Sequence, residues 1–485
     1  MKGLQFVNRT GGSVTVSGRA VAAFGRTVRG QLLAPGALGY DDARKVWNGM
    51  IDRRPALIAR CADRDDVQVA VAFARDHDLL VALRSGGHNV AGSATCDGGL
   101  VVDLSAMRQV EVDPQARTVR VDPGATLGEV DKATAPHGLV VPCGVVSETG
   151  LTGLTLGGGF GWFSRSFGYT CDNLLAAEVV TADGRLVTAS AEENPDLLWA
   201  LRGAGHNFGV VTSLLFRAQS VGPEVTAGLV AYPWRQAGDV VRFFREFTAA
   251  APDELGTMLV LRVAPPAPFL PTEVHGTMIA MVVVCLARES EAGRRAVAEL
   301  KRFGSPVADT IAVKPFVQHQ TLLDAANPKG RRYYWKSHNL RPLPPAADGV
   351  VVGLGDRITS PFSVVLAMQV GGAASRVEPT SAALGHRDAA YVINMAASWT
   401  EGAEDERHIG WARDCWAAMQ PFSTGGTNVN FLTAEEGASR VQAAYSPESY
   451  ARLTRLKRLF DPDNLFRCNQ NIPPEEVRAV RVATG

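Results

Sequence analysis

Cysteine is scarce and scattered in this chain. Cys61, Cys96, Cys143, Cys171, Cys285, Cys415 and Cys468 form an odd set with no CxxC pair. A disulfide framework or a zinc site needs paired, closely spaced thiols, so neither is expected and a reducing cytoplasm suits the chain. Long apolar runs are missing too: the longest, residues 278–287, is about half of what a bilayer span requires. Residues 1–9 lack the apolar core of a secretory leader. Neither sign of charge is in excess, because 49 basic side chains balance 49 acidic ones. No net field therefore draws in nucleic acid or an anionic membrane. Common motifs are absent as well: there is no GxxxxGK, GxGxxG, HExxH or GxSxG. That removes the P-loop, the dinucleotide fingerprint, the zincin helix and the hydrolase elbow.

What is present is a globular composition, 46% apolar and 20% charged, in 485 residues. A chain of that length exceeds one core and is expected to divide into two domains or more. No internal repeat or low-complexity segment interrupts it.

The most informative stretch is Gly86-Gly87-His88-Asn89, entered through Arg84-Ser85 from the apolar residues 79–83. A strand running into two glycines exposes consecutive backbone N–H groups to an anion, and the next side chain is a nucleophilic imidazole. Such a loop suits a diphosphate-bearing cofactor that is both cradled and tethered. A helix is expected over residues 65–77, begun by Asp63, Asp65 and Asp66 and carrying Val67, Ala70, Val71 and Ala74 on one face. Strands are expected at 100–104 and 118–121, and Thr126-Leu127-Gly128-Glu129 reads as a capping box. Residues 150–161 form a second glycine-dense region, either a cofactor wall or very tight packing. A hairpin is expected around Ala182-Asp183-Gly184, a helix near 195–201 and a strand at 210–216. From 221 to about 444 strand-like runs (258–263, 278–286, 363–370, 390–395) mix with helices such as 289–303. This is the pattern of an inserted antiparallel sheet with covering helices. A last helix spans 447–460.

Four ordered motifs, RSGGHNVAG (84–92), GLTGLTLGGGFG (150–161), LWALRGAGHNFGVV (198–211) and DPDNLFRCNQNI (461–472), resemble the berberine bridge enzyme-like family. These are FAD-linked oxidoreductases of the vanillyl-alcohol oxidase, or PCMH-type, superfamily. The resemblance implies an α+β, two-subdomain FAD-binding fold built from residues 1–218 and 445–485, with the inserted substrate domain at 219–444. It places the 8α flavin linkage on His88, a role a neutral imidazole can fill at neutral pH. It implies diphosphate contacts from the backbone of Ser85, Gly86, Gly87, Asn89 and Gly92, with Arg84 among the cofactor-binding residues. Gly150, Gly153, Leu154 and Gly157 would line the flavin, Val210 the adenine, and Asn469 and Asn471 would return to the ring. The second, cysteinyl link found in some members is not expected, since Val146 occupies that position and Cys143 lies upstream.

The family's acid/base tyrosine, in a pattern like YGxNYxRL, maps onto residues 445–453, where Tyr450 becomes the candidate base and Tyr445 its neighbour. A phenol needs a nearby cation to act as a base at neutral pH, and the resemblance offers Lys336. Relatives often carry Tyr-Val-Asn-Phe where this chain has Asn428-Val429-Asn430-Phe431, so stacking is traded for hydrogen bonding. The activity implied is hydride removal from a C–H next to a hydroxyl or amine of a small molecule, with O2 as acceptor and peroxide as product. A dehydrogenase or cyclising enzyme of secondary metabolism, and a non-catalytic flavin-binding protein, stay open. No metal is expected, and the oligomeric state is not legible.

Overall fold

The computed structural model describes residues 3–476. Three sheets organise them. The first has four strands in the order Gln31–Leu33, Leu57–Arg60, Leu100–Asp103, Val81–Arg84, and its last three run parallel. The helix Arg64–Asp76 packs here through Val67, Ala70, Val71 and Ala74, all with no exposure. Its cap Asp63 accepts the Asp65 and Asp66 N–H groups, as the acidic cluster predicts.

The second sheet is wholly antiparallel: Leu186–Ala189, Leu174–Val180, Val210–Arg217, Thr118–Val121, Val110–Asp113. Its core takes in the helices Pro195–Ala204 and Pro447–Phe460. Val429, Leu432 and Val441 sit in this same core. The chain thus crosses back from Val429 onward, earlier than the expected boundary at 445. The reason is that these apolar side chains find their partners on the glycine-rich side of the molecule.

The third sheet has eight antiparallel strands. Its central run is Glu224–Pro233, Met278–Leu286, Leu255–Val263, Val364–Gln369, Tyr391–Trp399, Arg332–Leu340. Side chains alternate strictly between its faces, as a pleated strand requires. In Tyr391–Trp399 the odd-numbered residues Tyr391, Ile393, Met395, Ala397 and Trp399 join the core beneath the helices Ala237–Ala250, Glu291–Arg302, Ala347–Asp356 and Asp405–Met419. The even-numbered Val392, Asn394, Ala396 and Ser398 face a cavity. Burying each large apolar side chain against those helices contributes about 1.5–3 kcal/mol, which holds the wall rigid behind the cavity.

The glycine-dense region holds a short helix, Leu151–Leu156, that its composition did not announce. Tertiary packing against Pro195–Ala204 overrides the low helix propensity of glycine.

Candidate active site

One cavity of about 740 Å³ lies between the glycine loops and the uncovered face of the eight-stranded sheet. The two glycine loops touch backbone to backbone. A Cβ on Gly86 would come within 2.6 Å of Gly150 N, and one on Gly150 within 2.7 Å of Gly86 N, so neither position accepts a side chain. Gly87 turns the chain with φ +67°, a conformation glycine adopts without strain. Gly153 differs: a Cβ there meets no protein atom within 4 Å and would project into open space.

Of the residues the sequence singles out, Arg84, Ser85, Gly86, Gly87, His88, Asn89, Gly150, Gly153, Leu154, Val210 and Asn469 line this cavity. Gly92, Gly157 and Asn471 do not. Gly92 is packed on the Ile51 side chain, and Gly157 sits against the Asn430 amide, so both serve loop packing. Cys143 is likewise outside the lining; its buried thiol meets Gln320 Nε2 at 3.7 Å, and burial raises its pKa.

His88 stacks on Trp47, with ring centroids 4.4 Å apart, and Trp47 stacks in turn on Tyr333 at 3.7 Å. Burial lowers the His88 pKa to about 4, so the imidazole is neutral at physiological pH. The segment 47–49 clasps both walls. Trp47 N donates to Gly87 O (3.0 Å), Gly49 N to Arg331 O (2.8 Å), and Asn48 Nδ2 to both Val90 O (2.8 Å) and Tyr333 O (2.9 Å). The tether candidate and the substrate-side strand are thereby held in fixed relation.

The end of the chain closes another side. Asn469 Nδ2 donates to His206 O at 2.6 Å, and Asn207 Oδ1 accepts Ile472 N at 2.9 Å, locking the NQNI turn onto the GAGHNFG segment. His206 Nε2 contacts Gly153 O at 3.0 Å, and Asn430 Nδ2 donates to Leu154 O at 3.0 Å. Ser85 Oγ, Thr152 Oγ1 and Asn469 Oδ1 are buried without a hydrogen-bond partner, and all three residues line the cavity. Buried polar atoms left unpaired are costly. Together with bare glycine backbone, they form a donor and acceptor set that fits a dinucleotide.

The expected acid/base group is not assembled. Tyr450 and Tyr445 pack in the core of the five-stranded sheet, and Tyr445 donates its hydroxyl to Gly203 O at 3.2 Å. Burial raises both phenols, and no cation offsets it. Lys336 is one residue out of phase: Tyr333 and Trp335 face the cavity, whereas Tyr334 and Lys336 face the helices. Its ammonium pairs with Glu436 (3.0 Å) and Glu435 (3.1 Å) beside the Trp416 ring. None of the three lines the cavity.

Residues that sequence reasoning passed over do line it: Asn394, Ser398, Trp335, Arg262, Arg331 and His206. Asn394 and Ser398 left one usable trace. They are the polar residues at even positions of an otherwise apolar strand. Asn428, where relatives carry an aromatic, is also in the lining and caps its own turn by accepting Asn430 N at 2.9 Å.

Glycine loops against a covered sheet, a neutral imidazole at their junction and unpaired polar atoms fitted to a dinucleotide define an FAD-linked oxidoreductase. Comparison with known proteins agrees. An FAD binding domain model matches residues 55–190, and a berberine and berberine-like model matches residues 428–473. (R)-6-hydroxynicotine oxidase of Paenarthrobacter nicotinovorans is 31% identical over 464 residues, 93% of this chain and 98% of its own. The xylooligosaccharide oxidase of Thermothelomyces thermophilus is 30% identical over 461 residues, covering 89% and 90%. The crystal structure of 6-hydroxy-D-nicotine oxidase from Arthrobacter nicotinovorans superposes with a TM-score of 0.82 at 29% identity, over 92% of this chain and 98% of that one. The chain belongs to the berberine bridge enzyme-like family of FAD-linked oxidoreductases.

Proposed function

We propose that this oxidoreductase carries its FAD covalently on His88 and oxidises a small organic substrate at a C–H next to a hydroxyl or amine, with O2 taking the electrons and peroxide leaving. The observation that carries the reading is the placement of His88. Its ring is neutral, stacked on Trp47 and directed by a glycine turn to the edge of the cavity. When bound, FAD supplies the hydride acceptor. The chain's own part is to hold the diphosphate on the backbone of Ser85, Gly86, Gly87 and Asn89, to keep Gly153 and Leu154 against the ring, and to exclude water with the apolar sheet face. Asn394 and Ser398, with unpaired buried oxygens, are the groups suited to orient the substrate's hydroxyl or amine. Among the described residues the cavity lining has no carboxylate and no lysine. A carboxylate or lysine base is therefore not part of the lining, and a substrate presenting a free amine, or one losing its proton to water, fits best. That relatives are named for a hydroxynicotine and for xylooligosaccharides supports the reaction type while leaving the substrate open. A reducing cytoplasmic setting is consistent with the seven free cysteines.

The test is acid precipitation of the purified protein. Yellow colour is expected to stay with the wild-type pellet and to leave that of His88→Ala; colour that washes out of the wild type refutes the tether. Peroxide formed in step with substrate loss supports the oxidase reading, and substrate loss without peroxide refutes it.

A further inference from the structure

Two of the cavity's guanidinium groups have no counter-ion. Arg262 and Arg331 both line it, and neither makes an ion pair among the described residues. Other arginines with restricted exposure do pair with carboxylates, Arg245 with Asp348, Arg332 with Asp405 and Arg387 with Asp172 among them. Each uses a single N–H on the protein. Arg262 Nε donates to Val263 O at 3.1 Å, and Arg331 Nη1 to Ala326 O at 3.2 Å, leaving the remaining guanidinium donors free. Arg331 lies over the Phe362 ring at 4.2 Å, which holds its plane against an apolar surface.

Register places this charge on the substrate wall. Arg262 pairs with Val364, Val364 with Ala396, and Ala396 with Trp335, so the arginine and the indole stand in one row of the cavity-facing sheet surface, three strands apart. One row along the strand is Asn394, 3% exposed, its amide oxygen without a partner. Burial and mutual repulsion lower the Arg262 pKa, as expected of a cation still lacking its anion.

Resting on the oxidoreductase reading of this cavity, we infer that its substrate is a planar, largely apolar molecule bearing an anionic group, carboxylate or phosphate, which the Arg262 and Arg331 guanidinium groups bind. Guanidinium forks match the paired oxygens of such groups, and in a largely apolar chamber a neutral ligand would leave two half-buried charges unpaired.

The experiment uses the purified full-length holoenzyme and three probes of one shape, 2-naphthoate, 2-naphthyl phosphate and 2-naphthamide. Binding is read by quenching of tryptophan fluorescence and by the flavin visible spectrum. At least one anion is expected to bind roughly tenfold tighter than the amide, with the preference falling as salt rises, and the tighter anion identifies the head group. Arg262→Gln and Arg331→Gln should each narrow the preference while amide affinity and flavin content stay unchanged. Equal affinity for all three probes overturns the inference, as do variants that shed flavin while keeping the preference, since the guanidinium groups would then belong to the cofactor. Because wild-type salt dependence needs no variant, poor folding of a variant does not spoil the test. A preparation without flavin refutes the proposed function, yet its fluorescence still reads the anion preference.

Discussion

The turn that closes the cavity hangs on one buried ion pair, and removing half of it should loosen the cofactor side of the site. Lys457 and Asp461 both have no exposed side chain, with Nζ to Oδ2 at 2.7 Å. The ammonium also donates to Asn207 O (2.8 Å) and Phe466 O (2.9 Å), and Asp461 accepts Leu465 N (2.7 Å) and Phe466 N (2.9 Å). Lys457→Met strands the Asp461 carboxylate in the interior, leaves Asn207 O without a donor and leaves Phe466 O with Asn469 Nδ2 alone, at 3.2 Å. Breaking such a pair costs about 3–5 kcal/mol. The two backbone N–H groups that still serve Asp461 argue for the lower end, about 3 kcal/mol. Phe466, Cys468, Asn469 and Gln470 all line the cavity, so the loss should appear there as faster opening. Hydrogen-exchange mass spectrometry over residues 461–472 measures it, with flavin content recorded in parallel. Lys457→Met and Asp461→Asn should each cost about 3 kcal/mol, and the double variant should recover about 2 kcal/mol of their sum. A single variant costing under about 1 kcal/mol, or strict additivity, would refute the reasoning.

Three further outcomes are expected. Because burial holds the His88 pKa near 4 against an ordinary 6.5, the unfolded chain takes up this proton first as pH falls. Protein expressed under riboflavin limitation should therefore lose up to about 3 kcal/mol between pH 6.5 and 4, at 1.36 kcal/mol per pH unit. His88→Gln should flatten that dependence in urea unfolding, and identical curves for both proteins would remove the claim of a buried neutral imidazole. Gly153→Val should fold normally, having no protein atom in the way, yet purify with less than about a tenth of the flavin, the cost of a clash worth over about 1.4 kcal/mol. Full flavin content by absorbance would move the ring elsewhere. Tyr450→Phe should leave the rate of flavin reduction within about twofold, since its phenol packs in the core of the five-stranded sheet and away from the cavity. A large drop in stopped-flow reduction would return it to the reaction.

Much of the architecture is local chemistry and was legible without coordinates. The capping box at Thr126 and Glu129 forms as its spacing indicates, and the helix Pro447–Phe460 starts on a Ser446 cap with proline in its first turn. The hairpin around Asp183 follows its turn residues, and long strands of the inserted sheet follow their apolar runs. So does the GGHN loop, because a strand running into two glycines has few other uses. Lys336 and Asn394 could not be resolved this way. Lys336 sits in a mixed polar and aromatic segment, RYYWKSHNL, and Asn394 in an apolar run, and in either a register shift of one residue exchanges cavity for helix-covered core. The partners across the sheet chose the phase, sending Lys336 to Glu435 and Glu436 and Asn394 into the cavity. Arg262 and Arg331 are distant in the chain and lie in segments without a motif. Their shared lack of a counter-ion inside one cavity is a property of what surrounds them, so it exists only once the fold has assembled that lining.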